Sequence, residues 1–270
     1  MTHPFDAALT FETVDGRVRG ATTPDFANMV GPFGGLTAAA FVRAIEEHPD
    51  RLGEPVSLTV NYAAPIADGE FEIDLRAVRT NRTNQHWIAE LTQGSPDSPV
   101  VTTTATAVFG VKRPTWSDTE IQPPAAPDPE DCTPQDISSF VTWTRNYEMR
   151  FAAGAVPGED AGEHPDSTST LWVRAHPRRA LDYPALTALC DVFFPRVFLR
   201  RGQFIPAGTI SFTVYFHADA ADLARQGDDW ILATARAQRF SGGFFDQSAQ
   251  LWGRDGALLA VSHQIVYFKN

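Results

Sequence analysis

The chain has 270 residues, 43% of them hydrophobic and 20% charged, with a formal net charge of −11. Length and apolar content suit two cored units of about 100–150 residues each and exclude a disordered chain. The acidic balance excludes a general nucleic-acid binder, so an anionic ligand must find a local basic patch or backbone N–H groups.

The first six residues, Met1-Thr2-His3-Pro4-Phe5-Asp6, show no basic region followed by an apolar stretch. No apolar run approaches the ~20 residues that a membrane span needs, so neither a signal peptide nor a membrane partner is expected, and a cytoplasmic location follows by default. FGGLTAAAFVRAI (33–45) reads as a helix and contains no acid. SLTVNYAAP (57–65) and the runs at 70–80, 85–93 and 100–112 are rich in Val, Ile, Thr and aromatics, and several alternate apolar with polar as half-buried strands do. Gly94 to Pro99 connects the last two as a hairpin. Residues 113–143 are Pro-rich and acidic without a period, which predicts a linker.

The second unit repeats the first. YPALTALCDVFF (183–194) reads as its helix, capped by Asp182 with Pro184 in the first turn. SFTVYFHAD (211–219) follows, then strand-like runs at 229–240, 243–253 and 257–269, with Arg254-Asp255-Gly256 as a tight turn. Ser57, Thr59, Val60 and Ala64 match Ser211, Thr213, Val214 and Ala218 at a constant offset of 154, and Tyr62 faces Phe216. Each unit is therefore expected to be a short strand, one long helix and a four-stranded antiparallel meander, a domain that has been duplicated. The expected limits are 1–112 for the first unit and 144–270 for the second.

An antiparallel sheet wrapped around one central helix, present twice, resembles the double-hotdog fold, an α+β architecture with two sheets joined edge to edge. More closely the chain resembles the acyl-CoA thioesterase II family. The resemblance rests on Phe33-Gly34-Gly35 opening the first helix, the Asp191 segment ALCDVFF, Thr209-Ile210 beginning TISFTVYFH, and Gln264 in the last strand. It implies hydrolysis of fatty acyl-CoA thioesters without cofactor or metal, in fatty acid metabolism, by a homodimer. It also implies an Asp, a Thr and a Gln that hold and activate water, here Asp191, Thr209 and Gln264. Leu36 follows Phe-Gly-Gly where the family often has Gln, and the stretch from 191 to 209 is short. Both bear on the acyl pocket.

The residues support this independently. A carboxylate at 191 in an apolar helical run is costly to bury unless hydrogen-bonded, although pairing with Arg196 or Arg200 would be a purely structural account. Thr209 alone reads as a good strand residue. Gln264 shares a strand face with Ser262, Val266 and Phe268, opposite Val261, His263, Ile265 and Tyr267. The first unit is an internal control: Thr209 corresponds to Pro55 and Gln264 to Ala107. A scaffold role would recur in both units; the polar trio occurs once, which favours a single site.

Thioester hydrolysis needs an oriented water, a proton acceptor and donors for an oxyanion. Phe33, Gly34 and Gly35 are the expected backbone donors, since a helix N-terminus presents N–H groups and glycine allows close approach. Arg79, Arg82 and Arg239 are candidates for the phosphates of coenzyme A. His86 and His263 could line the cleft, and no histidine pair has zinc-ligand spacing. Cys132 and Cys190 form no disulfide framework. No nucleophile elbow, dinucleotide fingerprint or P-loop occurs. The alternatives are a double-hotdog hydratase or dehydratase and a non-catalytic acyl-CoA binder.

Overall fold

The computed structural model describes residues 2–95, 97–158 and 161–269. The chain opens with α1 (Pro4–Ala8) and the hairpin β1 (Glu12–Val14) and β2 (Arg17–Ala21). Asp15 and Gly16 make its turn at positive φ. α2 (Gly34–Glu46) is buried continuously from Gly35 to Val42, as a helix with small or apolar residues on every side must be. β3 (Glu54–Tyr62), β4 (Glu70–Thr80), β5 (Asn84–Ser95) and β6 (Ser98–Gly110) complete the first half. The turn expected at 94–99 includes Pro96, which lies outside the described residues.

The second half holds β7 (Thr133–Pro134), β8 (Tyr147–Ala153), β9 (Ser169–Ala175), α3 (Tyr183–Leu189), α4 (Arg196–Arg201) and β10 (Ala207–Phe216). It ends with α5 (Ala220–Gln226), β11 (Ile231–Arg236), β12 (Phe240–Ser241), β13 (Phe244–Trp252) and β14 (Leu258–Phe268). All strands join one antiparallel sheet in the order β1-β2-β4-β5-β6-β3-β10-β14-β13-β11-β9-β8-β7, with β12 on β13.

The seam is β3 against β10. Thr59 pairs with Thr213, and their hydroxyls lie 3.0 Å apart on a local two-fold axis. The register slips between Pro55 and Ser57 in one half and between Thr209 and Ser211 in the other. Residues 56 and 210 are related by the same offset of 154, so even the bulge is duplicated. Leu58 pairs with Ala107 where Phe212 pairs with Gln264, which sets Ala107 and Gln264 in equivalent positions.

Two expectations need correction. The four strands of each half are not a simple meander: β3 lies beside β6 and β10 beside β14. This puts the strand that follows each helix at the seam, where it gains a second edge partner and buries Leu58 and Val60, or Phe212 and Val214, under the helices. The second helix is also not one long element. It stops at Leu189 with Cys190 as its C-cap, and α4 starts only after Pro195. Proline lacks the N–H needed to continue a helix and disfavours the helical region at the residue before it.

The stretch expected as a linker is partly built into the fold. β7 pairs with β8, the Trp172 indole donates to Pro127 O at 2.8 Å, and Trp143 stacks on Phe33 at 4.1 Å between centroids. α2 and α3 run antiparallel in a shared core: Arg43 bonds Asp182 at 3.1 Å at one end, and Gly35 packs on the Ala188 carbonyl at the other.

Candidate active site

Because α2 and α3 are antiparallel, the C-terminal end of α3 meets the N-terminus of α2. Asp191 lies in the turn just past the α3 C-cap, not inside the helix as the sequence pattern suggested. Its side chain crosses to the other half. The Phe33 N-cap of α2 makes no side-chain capping bond, and the Asp191 carboxylate occupies that place instead. The positive end of the helix dipole favours an anion there.

The predicted trio comes together. Gln264 Nε2 donates to Asp191 Oδ1 at 2.7 Å, and Thr209 Oγ1 donates to Gln264 Oε1 at 2.9 Å. The polarity is unambiguous for an ionised Asp191, because a carboxylate can only accept and the amide must turn its nitrogen toward it. Ser262, Gln264 and Val266 face the core, while Ile265 and Tyr267 on the other face are exposed, which matches the expected alternation.

Asp191 keeps a partial solvent opening, but protein packs around the carboxyl closely enough that desolvation dominates its titration. Burial pushes its pKa up to about 7, and the bonds from Gln264 and the Gly35 backbone pull it partly back.

The two glycines do different work. A Cβ on Gly34 would lie 2.9 Å from Asp191 Oδ2 and 3.3 Å from the Tyr62 hydroxyl. A Cβ on Gly35 would meet the Phe33 ring at 2.5 Å and the Ala188 carbonyl oxygen at 2.7 Å. Of the three backbone donors expected here, Phe33 N–H is already bonded to Phe26 O at 2.8 Å, which removes it from the set. Gly35 N–H serves Asp191, which leaves Gly34 N–H.

Sequence reasoning missed Tyr62 as a site residue. Its hydroxyl donates to Gly34 O at 2.7 Å, next to the carboxylate. The signal was present in the repeat: the equivalent residue is Phe216, which has no hydroxyl.

The arginines divide. β3 has nine residues, so its ends lie roughly 26 Å apart. Tyr62 marks the site end; Glu54 marks the other, where Gly110 and Asn84 pair beside the turn carrying Arg82. Arg79 and Arg82 are thus at the far pole, and Arg79 and His86 line a cleft on the outer sheet face. The sequence shows no strand polarity, so it could not say that these two candidates lie at the pole away from the trio. His263 is likewise on the outer face, away from Gln264. Arg239 lies at the site end, where its N–H bonds Asp246 Oδ1 at 2.9 Å beside the start of β13. A separate cavity of about 20 Å³ behind α3, lined by Phe5, Tyr147 and Leu189 among others, has room for a water and not for an acyl chain.

Residues 23–110 match the family model described as the acyl-CoA thioesterase N-terminal domain, and residues 122–268 match its C-terminal domain. Among solved structures, a conserved protein of unknown function with a hot dog fold from Alicyclobacillus acidocaldarius is 42% identical with a TM-score of 0.94, covering 100% of this chain and 99% of that one. A putative thioesterase II from Thermobifida fusca YX is 20% identical with a TM-score of 0.84 over 99% and 98% of the two chains. An acyl-CoA thioesterase II from Mycobacterium marinum is 17% identical with a TM-score of 0.73 over 98% of each. Three dehydratase domains share the fold more distantly, at 12–13% identity and TM-scores of 0.53–0.55. No curated protein matches the chain.

Proposed function

Since the chain belongs to the acyl-CoA thioesterase family and is a thioester hydrolase, we propose that it cleaves acyl-CoA to free acid and CoA with a water held by Asp191, Gln264 and Thr209. The observation that carries this reading is the chain of bonds from Thr209 through Gln264 to a carboxylate whose pKa is pushed up to about 7. A base poised near neutrality is what water activation requires.

Gln264 holds Oδ1, so Oδ2 accepts the proton of the attacking water. The second amide hydrogen of Gln264 orients that water, while Thr209 fixes the amide. Water oxygen bonds to the thioester carbon, its proton passes to Asp191, and the carbonyl electrons move onto oxygen. Gly34 N–H, at the positive end of α2, faces the resulting oxyanion. Collapse re-forms the carbonyl and expels the CoA thiolate, which takes up the proton from Asp191. Arg239 is the phosphate contact that remains near this end.

Thiol release measured across short, medium, long and aromatic acyl-CoAs tests the proposal. Turnover on at least one class, with a rate that falls below about pH 7 as Asp191 is protonated, is expected. Saturable binding of every acyl-CoA with no thiol released would overturn it.

A further inference from the structure

We propose that Tyr62 is a positioning residue for the catalytic carboxylate, acting through the peptide that joins Gly34 to Gly35. This rests on the reading of Asp191 as the base. The Tyr62 hydroxyl donates to Gly34 O at 2.7 Å, and the N–H of the same peptide group belongs to Gly35, which bonds Asp191. A donor on the carbonyl side of a peptide polarises it and strengthens the N–H on the other side, by roughly 10–30% per bond. Tyr62 therefore both pins the plane of that peptide and sharpens the bond it offers the carboxylate. Together with Gln264, it holds Asp191 from two sides: the amide from β14, the polarised peptide from α2.

The duplication supplies the control. Tyr62 and Phe216 are equivalent by the offset of 154, both ring-bearing and both at the C-terminal end of their strand, but the antiparallel seam puts them at opposite poles. The hydroxyl exists only in the strand that reaches Asp191. A purely packing role is met by Phe216, which is buried against Tyr183 in an edge-to-face contact. Burial holds the Tyr62 phenol well above its ordinary pKa, so it remains a donor through the neutral range. The other titratable groups beside Asp191, Tyr147 and Cys190, are also pushed up by burial and stay protonated there. Glu46, raised to about 7 by burial, sits at the opposite end of α2.

The test compares the full chain with Tyr62→Phe, Tyr62→3-fluorotyrosine, Phe216→Tyr and Asp191→Ala, reading kcat, KM and the pH midpoint of kcat. Tyr62→Phe is expected to lower kcat about tenfold with KM unchanged, and to move the midpoint upward by about 0.3 pH. The fluorinated residue, a stronger donor, is expected to move the midpoint the opposite way, which keeps the test decisive if the Phe variant folds poorly. Phe216→Tyr should change neither quantity. A wild-type kcat and an unmoved midpoint in both Tyr62 variants, with Asp191→Ala inactive, overturns the role of Tyr62 and leaves the base in place. Wild-type activity in Asp191→Ala overturns both.

Discussion

Gly34 and Gly35 are neighbours of the same type, yet their substitutions are expected to fail differently. Alanine at 35 would drive a Cβ to 2.7 Å from the Ala188 backbone oxygen, which cannot step aside without moving α3. Overpacking of this kind costs about 1–3 kcal/mol, so Gly35→Ala should lower Tm by several degrees. Alanine at 34 meets the side-chain carboxylate of Asp191, not backbone, at 2.9 Å. Gly34→Ala should keep Tm within about 2 °C and lose activity roughly tenfold or more, because the carboxylate is displaced rather than the fold. Thermal melts and kcat on the two variants check the contrast.

Asp191 also links activity to stability. Its folded pKa of about 7 lies above the ordinary 3.8, so between those values the native state binds more protons than the unfolded one. Stability is then lost as pH rises from about 4 to 7, by up to ~4 kcal/mol from this group. The stability of Asp191→Asn relative to wild type should therefore increase between pH 5 and pH 8, and denaturant unfolding at both pH values measures it. At this scale the sequence was informative where the two halves differ. Thr209 against Pro55 and Gln264 against Ala107 supported the trio that the family resemblance implies, and Tyr62 against Phe216 marks a fourth group that the resemblance does not name. Arg79 and Arg82 could not be assigned, since local sequence does not say which end of a strand faces the site.

At the scale of elements, the break between α3 and α4 sets the site. Carried on as a helix, residues 190–194 would have kept Asp191 on the helix side; ending at Cys190 lets it turn to the N-terminus of α2. Helical periodicity over 183–194 could not show this, because Pro195 acts beyond the window. The fully buried Arg196 holds the break: its guanidinium donates to Phe194 O, Ser167 O and Ser169 Oγ and stacks 4.2 Å over the Phe194 ring. Burial pulls its pKa down to about 9. Removing it leaves buried carbonyls without a donor and a void, so Arg196→Ala should destabilise by roughly 2–4 kcal/mol in chemical denaturation. Arg196→Lys should recover little, since one ammonium cannot reach all three oxygens in the planar fork geometry. The strands were more legible than the helices, because alternation over eight or more residues is visible without knowledge of partners. Their order was not: β3 beside β6 depends on contacts distant in sequence.

For the molecule as a whole, duplication could be read from the offset of 154, whereas edge-to-edge joining was implied only by the resemblance to the double-hotdog fold; the axis between Thr59 and Thr213 gives that offset a physical location. The site then straddles the halves. Asp191, Thr209 and Gln264 come from one, Gly34, Gly35 and Tyr62 from the other, so neither half alone holds the hydrogen-bonded set. The outer sheet face exposes Tyr215, Phe244, Ile265 and Tyr267 near the seam. We propose that this face carries the expected homodimer contact; light scattering should give twice the chain mass, and charge substitutions at Tyr215 and Ile265 should return it to one.

The most direct measurement is kcat for Asp191→Ala on whichever acyl-CoA the wild-type chain turns over fastest, with circular dichroism confirming the fold. A drop of at least about a hundredfold in a folded variant is the predicted result. Turnover within a fewfold of wild type would show that water is activated elsewhere in the molecule.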